Sequence, residues 1–248
     1  MPSRWRLRLG AAAKKAESHF LHAAMCAILD GEGHYDHTKS FAISPAETVA
    51  ENRGQGDSCT VEVRLLLDDR GTIDRFVDGV NKLAVNGLRL GSETVAIAKP
   101  EGPVRVGHLS LIEALTWAEL ANGATEKISH HLRFRTPFYV REGNTALVLP
   151  APGSILRSMR AKWEFFAPGI VPPVGARDLD VVVRSFSGGT RTRRLGSVTH
   201  TGFVGSVELV GRSRSVEHQK ILSQLISASP FTGVGSATTL GCGTVELG

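Results

Sequence analysis

Four glycines, Gly233, Gly235, Gly241 and Gly243, fall within eleven positions of the segment Pro230 to Gly248, PFTGVGSATTLGCGTVELG. Glycine reaches positive φ at little cost and lets backbone approach another surface with no Cβ in the way. The run Ser215 to Ser229 ahead of it has helical spacing, and Thr244 to Leu247 after it reads as a strand. A chain with this ending has to fit a helix, a long glycine loop and a last strand into one sheet-bearing unit. The loop can be a backbone surface that meets a ligand's phosphates. It can equally be a bend that relieves crowding where a terminal strand enters a sheet. Common nucleotide motifs do not fit: no lysine follows the glycines, and a dinucleotide fingerprint needs the strand before the loop and the helix after it.

The rest of the chain supplies a frame for that loop. Trp5 to Leu9 alternates apolar and basic residues, as a half-buried strand does. Lys14 to Leu29 puts Phe20, Leu21, Ala24, Met25 and Ile28 at helical spacing. Gly31 to His37 is polar and irregular, and Phe41 to Ser44 leads into a further loop. Cys59 to Leu67 reads as a strand, Ile73 to Val85 as a helix stopped at Asn86-Gly87, and Leu88 to Ala98 as a hairpin or strand. The order is β-α-β-β-α-β. Pro100 to about Lys127 is expected to join two halves, with a short helix over Ser110 to Leu120. The second half repeats the order. His131 to Val140, Leu179 to Ser185, Thr201 to Val210 and Thr244 to Leu247 are its strands, Gly153 to Phe166 and Ser215 to Ser229 its helices, and SGGTRTRR an exposed basic hairpin. The expected fold is α+β: two tandem ferredoxin-like domains packed side by side, over 1–115 and 128–248.

Composition narrows the partners. Hydrophobic residues make up 42% and charged residues 21% of the chain, ordinary for a folded soluble protein. No apolar run approaches the ~18 residues of a membrane span, and no signal-peptide core follows MPSRWRLRLG. The chain is therefore expected to start near Met1 and to work in the cytoplasm, away from membranes. Cys26, Cys59 and Cys242 make no CxxC pair, which argues against disulfides and a cysteine zinc site. The first 120 residues carry 14 Lys/Arg and 16 Asp/Glu, and the remaining 128 carry 15 and 8. The second half thus holds the positive field, which suits a polyanionic partner.

Five segments then stand together in order: KSFAISP (Lys39 to Pro45), LRFRTPFYVREG (Leu132 to Gly143), LPAPGSILRSMRAKWEFF (Leu149 to Phe166), HTGFVGSVEL (His200 to Leu209) and FTGVGSATTLGCG (Phe231 to Gly243). With this layout the chain resembles the CRISPR-associated pre-crRNA-processing endoribonucleases of the RAMP superfamily, whose signature loop the glycine segment matches. The resemblance implies a tandem ferredoxin-like fold and metal-independent cleavage of a CRISPR repeat RNA beside its stem-loop. The products would be a 2′,3′-cyclic phosphate and a 5′-hydroxyl. It also implies no cofactor, a monomer or homodimer, and other subunits of a CRISPR effector complex as further partners. A non-catalytic RNA-binding subunit of such a complex shares the fold and the loop and is the alternative.

Cleavage of this kind needs a base for the 2′-hydroxyl, an acid for the leaving 5′-oxygen and a cation beside the crowded phosphate. Histidine suits the first two because its pKa lies near working pH, and lysine or arginine suits the third. The resemblance points to His34, which follows the first helix and precedes Lys39. The loop is one residue shorter than is common in the family, so His37 competes for the role. His22 shares a helix face with His19 and Cys26 and is the candidate complementary acid or base, or else a helix-surface histidine. Lys39 is the candidate phosphate stabiliser, or an exposed lysine at a strand start. His34, Asp36 and His37 could hold zinc, but no further ligand follows at usable spacing. For RNA contact the candidates are Arg191, Arg193 and Arg194 in the basic hairpin, Arg157, Arg160 and Lys162 on one helix, and the four glycines of the loop. Arg157 and Arg160 are i,i+3 neighbours, able to face one phosphate track. A basic surface fits an A-form stem, which proteins read by shape and backbone. Trp163 and Phe165 on that helix are expected in the core.

Overall fold

The alternation at the start of the chain becomes strand β1 (Ser3–Gly10), with Ser3, Trp5, Leu7 and Leu9 buried and Arg4, Arg6 and Arg8 on the other face. The computed structural model describes residues 1–10, 13, 18–29, 39–44, 47–49, 58–173, 175, 178–195 and 197–248. Met1–Ala114 and Leu195–Ser197 form a first unit; Leu115–Arg194 and Val198–Gly248 form a second.

In the first unit β1 is followed by α1 (Ser18–Leu29), β2 (Phe41–Ile43), β3 (Glu47–Val49), β4 (Ser58–Leu65) and α2 (Arg70–Asn86). Then come β5 (Leu88–Leu90), β6 (Glu93–Val95), β7 (Arg105–Val106) and β8 (Leu109–Ala114). The sheet runs β2-β4-β1-β8-β7, and β3 also pairs with β4. Antiparallel register sets Trp5 opposite Val63 and Leu7 opposite Val61, so one face of the sheet is apolar. Leu21, Met25 and Leu29 of α1 and Phe76 and Val80 of α2 close the core on that face. Gly79 lets the helices touch, since a Cβ there would lie 2.5 Å from Ile28 Cγ2. The Asp69 carboxylate starts α2 by accepting from the Gly71 and Thr72 amides, and Gly87 ends it at φ +80°. On the opposite face Arg4 grips Glu62 with two nitrogens (2.9 and 3.2 Å) and Glu113 with a third (3.2 Å). Arg64 is fully buried beside them and donates to the Ile43 carbonyl. Burial lowers its pKa to about 10 while Glu62 pulls the other way, so it stays charged at neutral pH.

Two expectations for this half are corrected. Leu88 to Ala98 takes the hairpin alternative, β5 against β6, with Ala96 to Ala98 bonded to the end of β1, but the strand that completes the β-α-β-β-α-β unit is β8. Ser110 to Leu120 is accordingly a strand followed by the short helix α3 (Trp117–Asn122), not one helix. LSLIEALTWAEL satisfies both periods. Pairing of Leu109 with Leu7 and Leu111 with Trp5 decides for strand, while a capping box between Thr116 and Glu119 starts the helix.

After α3 the second unit runs β9 (Ser129–Phe138), β10 (Val140–Glu142), β11 (Thr145–Leu147), α4 (Pro152–Phe166), β12 (Val181–Leu195) and β13 (Val198–Gly211). It closes with α5 (Val216–Ser227), α6 (Ser229–Thr232) and β14 (Val245–Leu247). Its sheet order is β12-β13-β9-β14, the same ferredoxin-like arrangement. Leu132, Phe134 and Phe138 of β9 are buried, as are Ile155, Met159 and Trp163 of α4 and Leu222 and Leu225 of α5. Trp163 is fully buried, edge-on to Trp117 at 4.8 Å, whereas Phe165 is 51% exposed and does not join the core as expected.

SGGTRTRR is not a hairpin turn. It continues β12, and the chain reverses between Leu195 and Val198. Gly188 and Gly205 lie against each other across the two strands, where a Cβ on Gly205 would stand 2.1 Å from the Ser187 carbonyl oxygen. The two glycines therefore serve close strand contact rather than a reversal.

Candidate active site and nucleic-acid interface

His34 and His37, the first choices for the reaction, lie outside the described residues, as do Tyr35 and Asp36. The first unit does position the other two candidates. His22 is half-buried on α1, with Nε2 3.5 Å from Cys26 Sγ one turn on and its ring 5.6 Å from that of Phe41. Phe41 opens β2 two residues after Lys39, which is also half-buried. Packing of α1 on the start of β2 thus brings His22 to the strand that Lys39 precedes. Cys26, Cys59 and Cys242 are buried cysteines. Among the described residues no three His, Cys, Asp or Glu side chains stand together as metal ligands.

The basic candidates of the second unit are less uniform than their spacing implied. Arg157 is exposed and holds Glu142 of β10 at 2.5 Å. Arg160 is tied to Glu164 at 2.8 Å and to the Pro172 carbonyl at 3.0 Å. Lys162 is half-buried, and burial lowers its pKa. On β12, Arg191 and Arg194 are exposed, while Arg193 turns in and donates to the Gly241 carbonyl at 3.3 Å. The solvent side of β9 adds His131, Arg133 and Arg135, with Glu208 and Glu246 beside them.

The glycine loop is explained from inside the unit. A Cβ on Gly243 would lie 1.8 Å from the Val234 oxygen, and one on Gly235 2.5 Å from the Tyr139 oxygen. Its amides are also spent internally. Gly233, Val234, Ser236, Leu240, Gly241, Cys242 and Gly243 donate to backbone carbonyls, Gly235 to Ser158 Oγ and Thr244 to Thr136 Oγ1. Of the two readings of Gly233, Gly235, Gly241 and Gly243, this internal bonding favours the bend that relieves crowding over a row of amides turned toward phosphates. Crowding bears on Gly233, Gly235 and Gly243, while Gly241 sits at φ +87°.

Side chains beside the loop form a cluster that the sequence reading missed. The Tyr139 hydroxyl, just past β9, lies 2.6 Å from His200 Nδ1 on β13, with the rings stacked at 5.4 Å. The Ser236 amide donates to the Tyr139 carbonyl (2.8 Å), and the Arg141 amide donates to Ser236 Oγ (3.1 Å). Tyr139 is buried, and desolvation, with Cys242 adding, pushes its pKa up to about 12 against Arg141. Desolvation, with Arg141 adding, pulls His200 below its ordinary value. Burial lifts the Cys242 thiol to about 11, and Arg193 opposes the shift. Both residues sit in segments singled out for resemblance, yet nothing local says that positions 61 apart will meet.

The α+β arrangement of two ferredoxin-like units recurs in solved structures over the full length of the chain. One solved example, described as a RAMP protein binding different RNA substrates, is 14% identical over 99% of both chains at a TM-score of 0.58. Residues 132–245 match the model of the CRISPR-associated endoribonuclease Cas6, and the chain carries the Cas6 fold over its whole length. A product complex of Thermus thermophilus Cas6 is 23% identical, covers 100% of both chains and superposes with a TM-score of 0.79. A Cas6 substrate-mimic complex is 22% identical over 100% of this chain and 99% of its own, with a TM-score of 0.72. No curated protein matches the sequence. No helix among the described residues is long and apolar enough to cross a membrane.

Proposed function

We propose that the chain is a metal-independent endoribonuclease that cuts CRISPR repeat RNA next to its stem-loop to release guide RNAs. The Cas6 family match over residues 132–245 carries this reading. Whole-length likeness to Cas6 structures described as product and substrate-mimic complexes supports it. In the reaction the 2′-oxygen attacks the adjacent phosphorus and the P–O5′ bond breaks. The 2′-proton passes to one imidazole, and a proton from an acid ends on the 5′-oxygen. His34 is assigned as the imidazole that reacts, with His37 as its competitor, His22 as the complementary acid or base and Lys39 as the cation on the phosphate. A positioned acid or base contributes roughly 10²–10⁴-fold. Residues 1–115 supply this chemistry, and residues 128–248 hold the stem through Arg191, Arg193 and Arg194 of β12 and Arg157, Arg160 and Lys162 of α4. Arg157 and Arg160 exchange their carboxylates for phosphate when RNA binds.

The test is cleavage of a repeat stem-loop RNA in EDTA, with His34, His37 and His22 replaced by alanine one at a time. The expected product ends in a cyclic phosphate, and His34→Ala keeps RNA affinity while losing at least a hundredfold in rate. Cleavage that needs added metal overturns the mechanism. Tight binding with no turnover moves the protein to the non-catalytic RNA-binding class.

A further inference from the structure

The Tyr139–His200 pair is a part-buried polar contact that the reaction above does not use. Its two pKa shifts favour one arrangement, a neutral imidazole accepting at Nδ1 from a protonated phenol. The ring proton is then held on Nε2, and stacking on Tyr139 fixes where it points. The charged and titratable groups that bear on the pair are Arg141 beyond β9 and Cys242 of the loop, whose own partner is Arg193 of β12. Arg193 is held by the Gly241 carbonyl, and the Arg141 backbone is anchored to Ser236 of the same loop. One neutral N–H donor thus stands near the Arg141 guanidinium, with Arg193 held against the glycine loop beside Cys242. Fixed donors beside cations are what a phosphate oxygen requires.

We propose that His200, oriented by Tyr139, is a phosphate-binding residue of this protein. Its Nε2–H donates to a non-bridging oxygen of the repeat RNA whose charge Arg141 and Arg193 balance. Tyr139 is the positioning residue and acts only through His200. The inference rests on the RNA-binding reading given above.

The experiment measures affinity of the full chain for a repeat stem-loop RNA across a salt series. It compares His200→Ala, Tyr139→Phe, their double variant, His200→Gln and Arg193→Ala. A hydrogen bond to a charged group corresponds to about tenfold or more in affinity, so His200→Ala is expected to weaken binding by at least that factor. Because His200 is neutral, the slope of log affinity against log salt stays as in the wild type. Arg193→Ala, by contrast, lowers that slope by about one. Tyr139→Phe weakens binding less than His200→Ala and adds nothing on top of it. His200→Gln, which keeps an N–H donor, restores part of the loss. Affinity within twofold of wild type for His200→Ala overturns the proposal. So does an equal loss from Tyr139→Phe in both backgrounds, the mark of a merely structural tyrosine. A wild-type chain with no salt-sensitive RNA affinity sinks the RNA reading itself, a result distinct from either.

Discussion

Gly243 and Gly143 share a backbone conformation, φ +62° and +58°, in opposite surroundings. Replacing each by alanine therefore separates the cost of the dihedral from the cost of crowding. Left-handed φ in an L-residue costs about 1–2 kcal/mol at either position. At Gly143 nothing lies within 4 Å of the new Cβ, so that is the whole expected effect. At Gly243 the Cβ would overlap the Val234 oxygen at 1.8 Å, and the backbone has to move. Movement strains two hydrogen bonds, Val234 N–H to the Gly243 oxygen (2.8 Å) and Gly243 N–H to the Pro137 oxygen (3.0 Å). Each is worth about 1 kcal/mol, and overpacking adds about 1–3 kcal/mol. Gly243→Ala should thus destabilise by about 4–7 kcal/mol, a large share of the 5–15 kcal/mol typical of a folded domain. Urea titrations followed by circular dichroism would read both variants as midpoint shifts at a common m-value. Equal midpoints for the two alanines would falsify the claim that close packing, rather than φ alone, demands glycine in this loop.

Other outcomes follow from single contacts. Trp163→Ala removes a fully buried ring stacked edge-on against Trp117 and should cost about 3–5 kcal/mol in the same titration. His130 is buried and desolvation lowers its folded pKa, so the unfolded chain takes up more protons. The stability it contributes is present above about pH 6.5 and lost as pH falls through the folded value. His130→Gln should flatten the fall in urea midpoint between pH 7 and 5; an unchanged slope would count against it. Asp69 shows the same sign in the carboxylate range. The Thr72 hydroxyl, first among its hydrogen bonds, holds its pKa down. Asp69→Asn should then remove part of the stability loss below pH 4. Arg191 and Arg194 are exposed on β12, and each change to alanine should lower the salt slope of RNA binding by about one and weaken all stem-loops alike.

Much of the fold could be read locally. SRWRLRLG shows its alternation openly, and α2 is bracketed by Asp69 and Gly87, cap residues that keep their preference almost anywhere. LSLIEALTWAEL could not be read in this way, because strand and helix periods fit it equally and only the neighbour β1 chooses. SGGTRTRR misled for a related reason. Paired glycines usually mark a turn, but here Gly188 faces Gly205 so that two long strands pass closely. Within the candidate site, Arg157, Arg160 and the β12 arginines were visible as charge, whereas their carboxylate and carbonyl partners were not.

By itself, the sequence determined the second β-α-β-β-α-β run, the basic second half and the glycine-dense ending, since each is a property of neighbours along the chain. Tertiary structure alone decided that β8 completes the first sheet and that the loop amides turn inward. It also decided that Tyr139 meets His200. Such contacts join residues many tens of positions apart, and their energies depend on distances that local spacing does not encode.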